Sequence, residues 1–196
     1  TNKLKIQYSN VDKHLNIRLF CLADFVQNNM TDLLGQMNVA NEWLKEQHGA
    51  FWVISKLKVH FDRCPVFCDE LSSESFVSGC TKVRLNITHN FSDMACNRVF
   101  VAHQELCMMD VVTRKIRQLK SIIEDEHMIS DEVSFSKFRW NVEEFTKVYS
   151  YIIMYDDIDS NGHVNNAKYL SFVANALGSE FFDNNRIIDM EIHYIN

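Results

Sequence analysis

Residues 155–169 read Tyr-Asp-Asp-Ile-Asp-Ser-Asn-Gly-His-Val-Asn-Asn-Ala-Lys-Tyr. Asp159, Asn161 and His163 stand at i, i+2 and i+4, and the run leads directly into a segment with helical apolar spacing. Of these three, His163 carries an imidazole, the side-chain type suited to moving a proton at working pH. Asn161 can orient a water or a carbonyl through its amide. Asp159 can fix the tautomer of His163 or hold the loop in its active geometry. The backbone N–H groups of Val164, Asn165 and Asn166 fall at the helix start, where intrahelical acceptors are lacking, and can serve as an oxyanion site. Such a set can polarise a carbonyl and activate a nucleophile. The bland alternative has Asp159 as a turn residue, Asn165 as a helix cap and His163 as a solvated side chain. Asn166 and Tyr169 are expected to start and pack the helix rather than to react.

The elements that must hold this loop follow from apolar periodicity. Residues 4–8 alternate and predict a strand. Leu19, Leu22, Phe25, Val26, Met30, Leu33 and Leu34 predict a helix over 19–34. A second helical piece covers 41–47 and breaks at Gly49, and a long strand over 51–61 ends at Cys64-Pro65. Strands are predicted over 70–78, 81–91 and 99–109, with turns at Ser78-Gly79 and Ser92-Asp93, and 111–119 continues or finishes the sheet. Residues 120–132 are polar and acidic and read as a connector with room for a short helix. A strand over 144–154, a helix over 165–182 and a strand over 187–195 then restart the order.

The restart is a repeat at a constant offset of 147 residues. Tyr8 corresponds to Tyr155, Val11 to Ile158, Asp12 to Asp159, Phe25 to Phe172, Val26 to Val173, Asn28 to Asn175 and Met30 to Leu177. With a different offset, Val59-His60-Phe61 corresponds to Ile192-His193-Tyr194. The first copy carries His14 and Asn16 where the second carries Asn161 and His163, so one copy reads as chemical and the other as structural. His60 and His193 are expected to be packing or edge residues. The first copy continues with strands over 65–119, whereas the chain given stops at Asn196, so the second copy is expected to be incomplete or completed by another chain. A start at Thr1 rather than Met fits a segment removed or left out.

Composition bounds the remaining classes. A hydrophobic share of 46% with 14 Phe in 196 residues predicts a real core in one large or two small domains. The formal charge of −6 argues against nucleic acid. No apolar run approaches the roughly 20 residues of a membrane span, and residues 1–9 show no signal-peptide pattern. Cys21, Cys64, Cys68, Cys80, Cys96 and Cys107 lack a second metal-ligand pair and read as reduced thiols of a cytoplasmic protein. The glycosylation patterns at Asn86 and Asn90 are then fortuitous.

Residues 157–169 resemble the active-site segment of acyl-acyl carrier protein thioesterases. The resemblance extends to 51–57 with Arg63-Cys64-Pro65, similar to that family's second strand and turn, and to 109–115, similar to its final-strand segment. The motif alone is shared with single-domain acyl-CoA thioesterases; the tandem repeat favours the carrier-protein family. The resemblance implies an α+β fold of two tandem hotdog domains, each an antiparallel sheet wrapped around a long helix. The first would span 1–119, a linker 120–143, and an incomplete catalytic copy 144–196. It implies hydrolysis of fatty acyl-acyl carrier protein to a free fatty acid, with Asp159, Asn161 and His163 catalytic. The final acid or Cys would lie just after Asn196, and attack by water or by a thiolate stays open.

In that architecture the first core lines the acyl pocket, which points to Trp52, Ile54 and Leu57 as substrate-binding. No metal or organic cofactor is implied. The implied partner is an acylated carrier protein, docking on a basic run at Arg114, Lys115, Arg117 and Lys120 or beside Lys56 and Lys58. A homodimer is compatible with this reading. The rivals are an acyl-CoA thioesterase of the same fold, a non-catalytic acyl-binding hotdog module and, lower, a hotdog dehydratase.

Overall fold

A computed structural model describes residues 2–123, 133–138, 145–147, 149–159 and 161–195. Its organising element is α1 (Leu19–Gln36), whose buried residues Leu19, Leu22, Ala23, Val26, Met30 and Leu34 share one face at helical spacing. After α2 (Asn41–His48), Gly49 adopts φ 58 and returns its N–H to the Leu44 and Lys45 carbonyls. This left-handed helix end favours glycine, which has no Cβ to clash there. The strands β1 (Asn2–Lys5), β2 (Ala50–Phe61), β3 (Glu70–Cys80), β4 (Leu85–Asp93), β5 (Arg98–Asp110), β6 (Ile116–Arg117) and β7 (Asp189–His193) form one antiparallel sheet. Their order is β1-β3-β4-β5-β2-β7, with β6 beside β5. The sheet covers α1, as expected of a hotdog half, and α3 (Asn166–Asn184) packs beside α1. No helix among the described residues is long and apolar enough to cross a membrane.

Two apolar clusters fill the space between α1 and the sheet. One holds Leu22, Val26, Phe61, Phe91 and Phe100, with the last two rings stacked at 4.1 Å. The other holds Met30, Leu34, Trp52, Ile54, Ile87 and Leu106. On β4, Ile87 belongs to one cluster and Phe91 to the other, and His89 lies between them, fully buried. Its Nδ1 meets Ser75 Oγ at 2.8 Å and its Nε2 meets Gln104 Oε1 at 3.0 Å, a polar row within the core.

Several predicted elements are shorter or displaced, each for a hydrogen-bonding reason. The strand over 4–8 ends at Lys5, and Tyr8–Asn10 forms a 3-10 turn because the Asn10 carboxamide takes the Gln7 N–H at 2.8 Å. Ser78-Gly79 is not a turn but lies inside β3 at a register shift; the turn is closed further on by Thr81 N–H donating to Arg84 O at 2.8 Å. Of residues 111–119 only Ile116–Arg117 is strand, because the Asp110 carboxylate accepts the Val112 and Thr113 N–H groups and curls the chain. The strand expected over 144–154 is absent from residues 145–147 and 149–154. Its counterpart β1 exists through its ladder with β3, and 149–152 has no ladder partner among the described residues. Residues 124–132 of the acidic connector, Glu144 and Asn196 lie outside the described residues, while Leu119–Ser121 forms a 3-10 turn anchored by buried Leu119.

The loop before each long helix repeats its turn, bridge and backbone hydrogen bonds. Tyr8–Asn10 and Tyr155–Asp157 are both 3-10 turns, and Val11–Ile17 and Ile158–Val164 are both antiparallel bridges. Asp12 N–H donates to Asn16 O at 2.8 Å as Asp159 N–H donates to His163 O at 2.7 Å. α1 and α3 begin at corresponding residues, Leu19 and Asn166. In the β2–β7 ladder Lys58 faces Glu191, its own counterpart when 59–61 is matched to 192–194, so the copies are related about that pair.

Candidate active site

The loop carrying the motif is tied by Asp159. Its Oδ1 accepts the N–H groups of Asn161 at 2.8 Å and His163 at 3.1 Å, and its carbonyl accepts the Gly162 N–H at 3.0 Å. Asp12 Oδ1 does the same for His14 and Asn16 in the first copy. Asp159 therefore holds the loop geometry; its hydrogen bonds go to backbone rather than to the His163 ring. Gly162 has φ 76, and its counterpart Leu15 has φ 62, so glycine relieves a strain the structural copy retains.

The exposed ring of His163 has no partner among the described residues. Asn165 caps α3 by accepting the Ala167 N–H at 2.9 Å, the structural role weighed for it above. Its own N–H goes to Asp157 O at 2.8 Å and is occupied. The N–H groups of Val164 and Asn166 have no acceptor among the described residues, whereas in the first copy the N–H of Ile17, the counterpart of Val164, donates to Pro65 O at 2.9 Å. Asp157 beneath the loop is buried. The Met154 N–H, with Tyr151 and Lys168, holds its carboxyl below the usual carboxylate range.

The loop opens onto a cavity of about 1070 Å³. Asp159, Asn161, His163, Val164, Asn166 and Tyr169 line it from the motif side, Trp52 and Ile54 from β2, and His193 and Tyr194 from β7 and just after it. Two of the three residues expected to bind substrate thus join the motif in one space. Leu57 does not: it is 2% exposed in the cluster under α1. Trp52 donates its indole N–H to Val39 O at 2.8 Å, which fixes the cavity wall. No cysteine is among the described residues lining this cavity.

Three contacts here were not expected. Lys45 Nζ on α2 donates to Asn161 Oδ1 at 2.6 Å, from 116 residues away. Tyr194 Oη donates to Asn166 O at 3.2 Å, and burial raises its pKa above the ordinary phenol range. His193 Nε2 meets Glu191 Oε1 at 2.6 Å, and Glu191 is also held by Ser136. The Glu-x-His spacing on β7 signals that last pair, since alternate strand residues share a face. No local pattern signals Lys45.

The basic residues divide. Arg114 lies over the Phe51 ring at 5.4 Å and lines the cavity. Arg117 donates to His48 O, Lys56 pairs with Glu105 at 3.2 Å and Lys58 with Glu191 at 3.8 Å, so these three serve the fold. In the first copy His14 Nε2 meets Asp183 Oδ1 on α3 at 2.7 Å; this ring is tethered where Asn161 meets Lys45.

Comparisons with known proteins identify the family and the fold. A model described as acyl-ACP thioesterase N-terminal domain matches residues 1–127, and one described as acyl-ACP thioesterase C-terminal domain matches 141–196. The structure of an acyl-ACP thioesterase from Bacteroides thetaiotaomicron superposes with a TM-score of 0.83 at 21% identity, over 99% of this chain and 79% of that one. A 12:0-ACP thioesterase from Umbellularia californica gives 0.82 at 14% identity, over 99% and 80%. At these identities both likenesses show the shared tandem hotdog fold. A chloroplastic acyl-[acyl-carrier-protein] hydrolase of Cuphea viscosissima is 21% identical over 154 residues, 73% of this chain. The chain spans 37% of the length of that relative.

Proposed function

The chain belongs to the acyl-ACP thioesterase family, and from that premise we propose that it hydrolyses the thioester of fatty acyl-acyl carrier protein. The product is a free fatty acid, so the reaction ends fatty acid synthesis on that carrier. One observation carries the reading: the His163 ring, the Asn161 amide and the N–H groups of Val164 and Asn166, none of them with a partner among the described residues apart from the Lys45 contact of Asn161, belong to residues that border one cavity with Trp52 and Ile54. Apolar walls suit an acyl chain, and the polar rim suits its thioester. In this reading the nucleophile is water, activated by the His163 ring on the cavity wall.

His163 takes a proton from that water as the oxygen bonds to the thioester carbon. The carbonyl oxygen becomes an oxyanion facing the N–H groups of Val164 and Asn166 and the Asn161 amide. Collapse breaks the carbon–sulfur bond, and the imidazolium returns its proton to the departing thiolate. Asp159 keeps these groups in register. The division into a first copy over 1–119, a connector over 120–143 and a catalytic copy from 144 belongs to the same proposal, supported by the repeated loop and helix. The six free cysteines suit a reducing compartment such as the cytoplasm.

The internal duplicate supplies a control. Asp12 and Asp159 make the same backbone hydrogen bonds, so either alanine variant should lose a comparable stability of about 1–2 kcal/mol. Only Asp159→Ala should also lose activity, by roughly 100-fold or more. Thermal melts with steady-state hydrolysis of acyl carrier protein substrates measure both; equal activity in the two variants would move the chemistry away from this loop.

Trp52 is expected to limit the acyl chain. Trp52→Ala, assayed at a temperature where it stays folded, should shift the product profile towards longer acids. An unchanged profile would remove Trp52 from the substrate wall.

A further inference from the structure

Asn161 presents two different groups, a carbonyl that accepts and an amide that donates, and its chemistry depends on which faces substrate. Lys45 settles this. An ammonium group has donors and no acceptor, so the atom it meets at 2.6 Å must be Oδ1. The Asn161 Nδ2 has no partner among the described residues, and the residue lines the cavity. With Oδ1 held by Lys45, the N–H donors of the amide are the groups left for the cavity.

We propose that Lys45 is a positioning residue that locks the Asn161 amide with its N–H donors towards the thioester carbonyl. This deepens the hydrolase reading given above and rests on it. The contact joins the two copies: Lys45 lies in the last turn of α2 in the structural copy, and Asn161 at the tip of the loop in the other. The structural copy offers the reverse case. There His14, the counterpart of Asn161, meets the acceptor Asp183 from α3, which leaves its loop tip no comparable donor. Both loop tips are tethered by the opposite copy, but among the described residues a cationic tether is found only at the tip that carries His163 two residues on. The cation adds a second effect, since its positive charge polarises the amide and strengthens Nδ2–H as a donor.

The test uses the natural polypeptide that contains these residues. Lys45→Met keeps most of the stem and removes the donor; Lys45→Arg restores a donor. Lys45→Met should lower kcat on acyl-acyl carrier protein roughly 10- to 100-fold with KM changed less than about threefold. Lys45→Arg should recover most of that loss, and melting temperatures should stay level because the contact is exposed. In an Asn161→Ala background, Lys45→Met should have no further effect on kcat, the signature of two groups acting as one. Equal losses in the two backgrounds, or an unchanged kcat in Lys45→Met, would overturn the proposal.

A readout independent of turnover separates this idea from the hydrolase reading. The side-chain NH2 resonances of Asn161, identified by their loss in Asn161→Asp, should shift in Lys45→Met and largely return in Lys45→Arg. Unshifted resonances would sink the Lys45 contact even in an active enzyme. Shifted resonances in a protein that hydrolyses neither carrier substrate would support the contact and sink the hydrolase reading.

Discussion

Replacing His163 with alanine should lower kcat/KM for an acyl carrier protein substrate by roughly 10²–10⁴-fold, the usual contribution of a positioned general base. The fold should hardly notice. The ring is exposed and without a partner among the described residues, and the loop is held by the His163 backbone, through its N–H to Asp159 Oδ1 and its carbonyl to the Asp159 N–H. Alanine keeps both bonds. A melting temperature within about 1 °C of wild type beside this kinetic loss marks a chemical role. His14→Ala is the matched control: it removes a ring tethered to Asp183 in the other copy and should leave kcat near wild type. If His163→Ala retained full activity, the proton transfer would have to be assigned elsewhere in the cavity, with His193 the next imidazole on its wall.

A second large effect concerns stability rather than catalysis. His89 is fully buried, and burial pushes its pKa from 6.5 down to about 4. The neutral ring is satisfied by Ser75 and Gln104, so the native state resists taking a proton that the unfolded chain accepts below pH 6.5. Between pH 6.5 and about 4 the unfolded state therefore binds more protons, and stability falls as pH falls. The depression corresponds to a loss of about 3 kcal/mol across that window. His103, also pushed down mainly by burial, acts in the same direction. Carboxylates held low, such as Asp62 and Asp183, lose their contributions only as pH falls below the ordinary carboxylate value of 3.8 towards their depressed values. The histidine window is thus separable. Urea unfolding at pH 7.5 and pH 4.5 should show wild type losing about 2–3 kcal/mol more than His89→Gln. Parallel losses in both proteins would mean that His89 does not govern this acid sensitivity.

The parts legible in the sequence were those fixed by local chemistry. Asp159, Asn161 and His163 could be read because one carboxylate ties a five-residue loop, and the duplicate at Asp12 shows that tie to be structural. α1 and β2 were legible within two residues at each end because long periodic stretches state their own period. What depended on distant partners was not legible. The stretch before Met154 has strand-like residues but no ladder among the described residues, so composition misled. Leu57 and Trp52 share a strand and both pack in clusters under α1, yet only Trp52 also lines the cavity, a difference made by tertiary packing. Lys45 and Tyr194 reach the motif from other elements, and no spacing rule encodes such contacts.

The most direct test is thiol release by the natural polypeptide from matched acyl-acyl carrier protein and acyl-CoA substrates, with His163→Ala beside wild type. The account predicts fast release from the carrier protein substrate, slower release from acyl-CoA, and loss of both in the variant. Faster release from acyl-CoA, or release that survives His163→Ala, would contradict it.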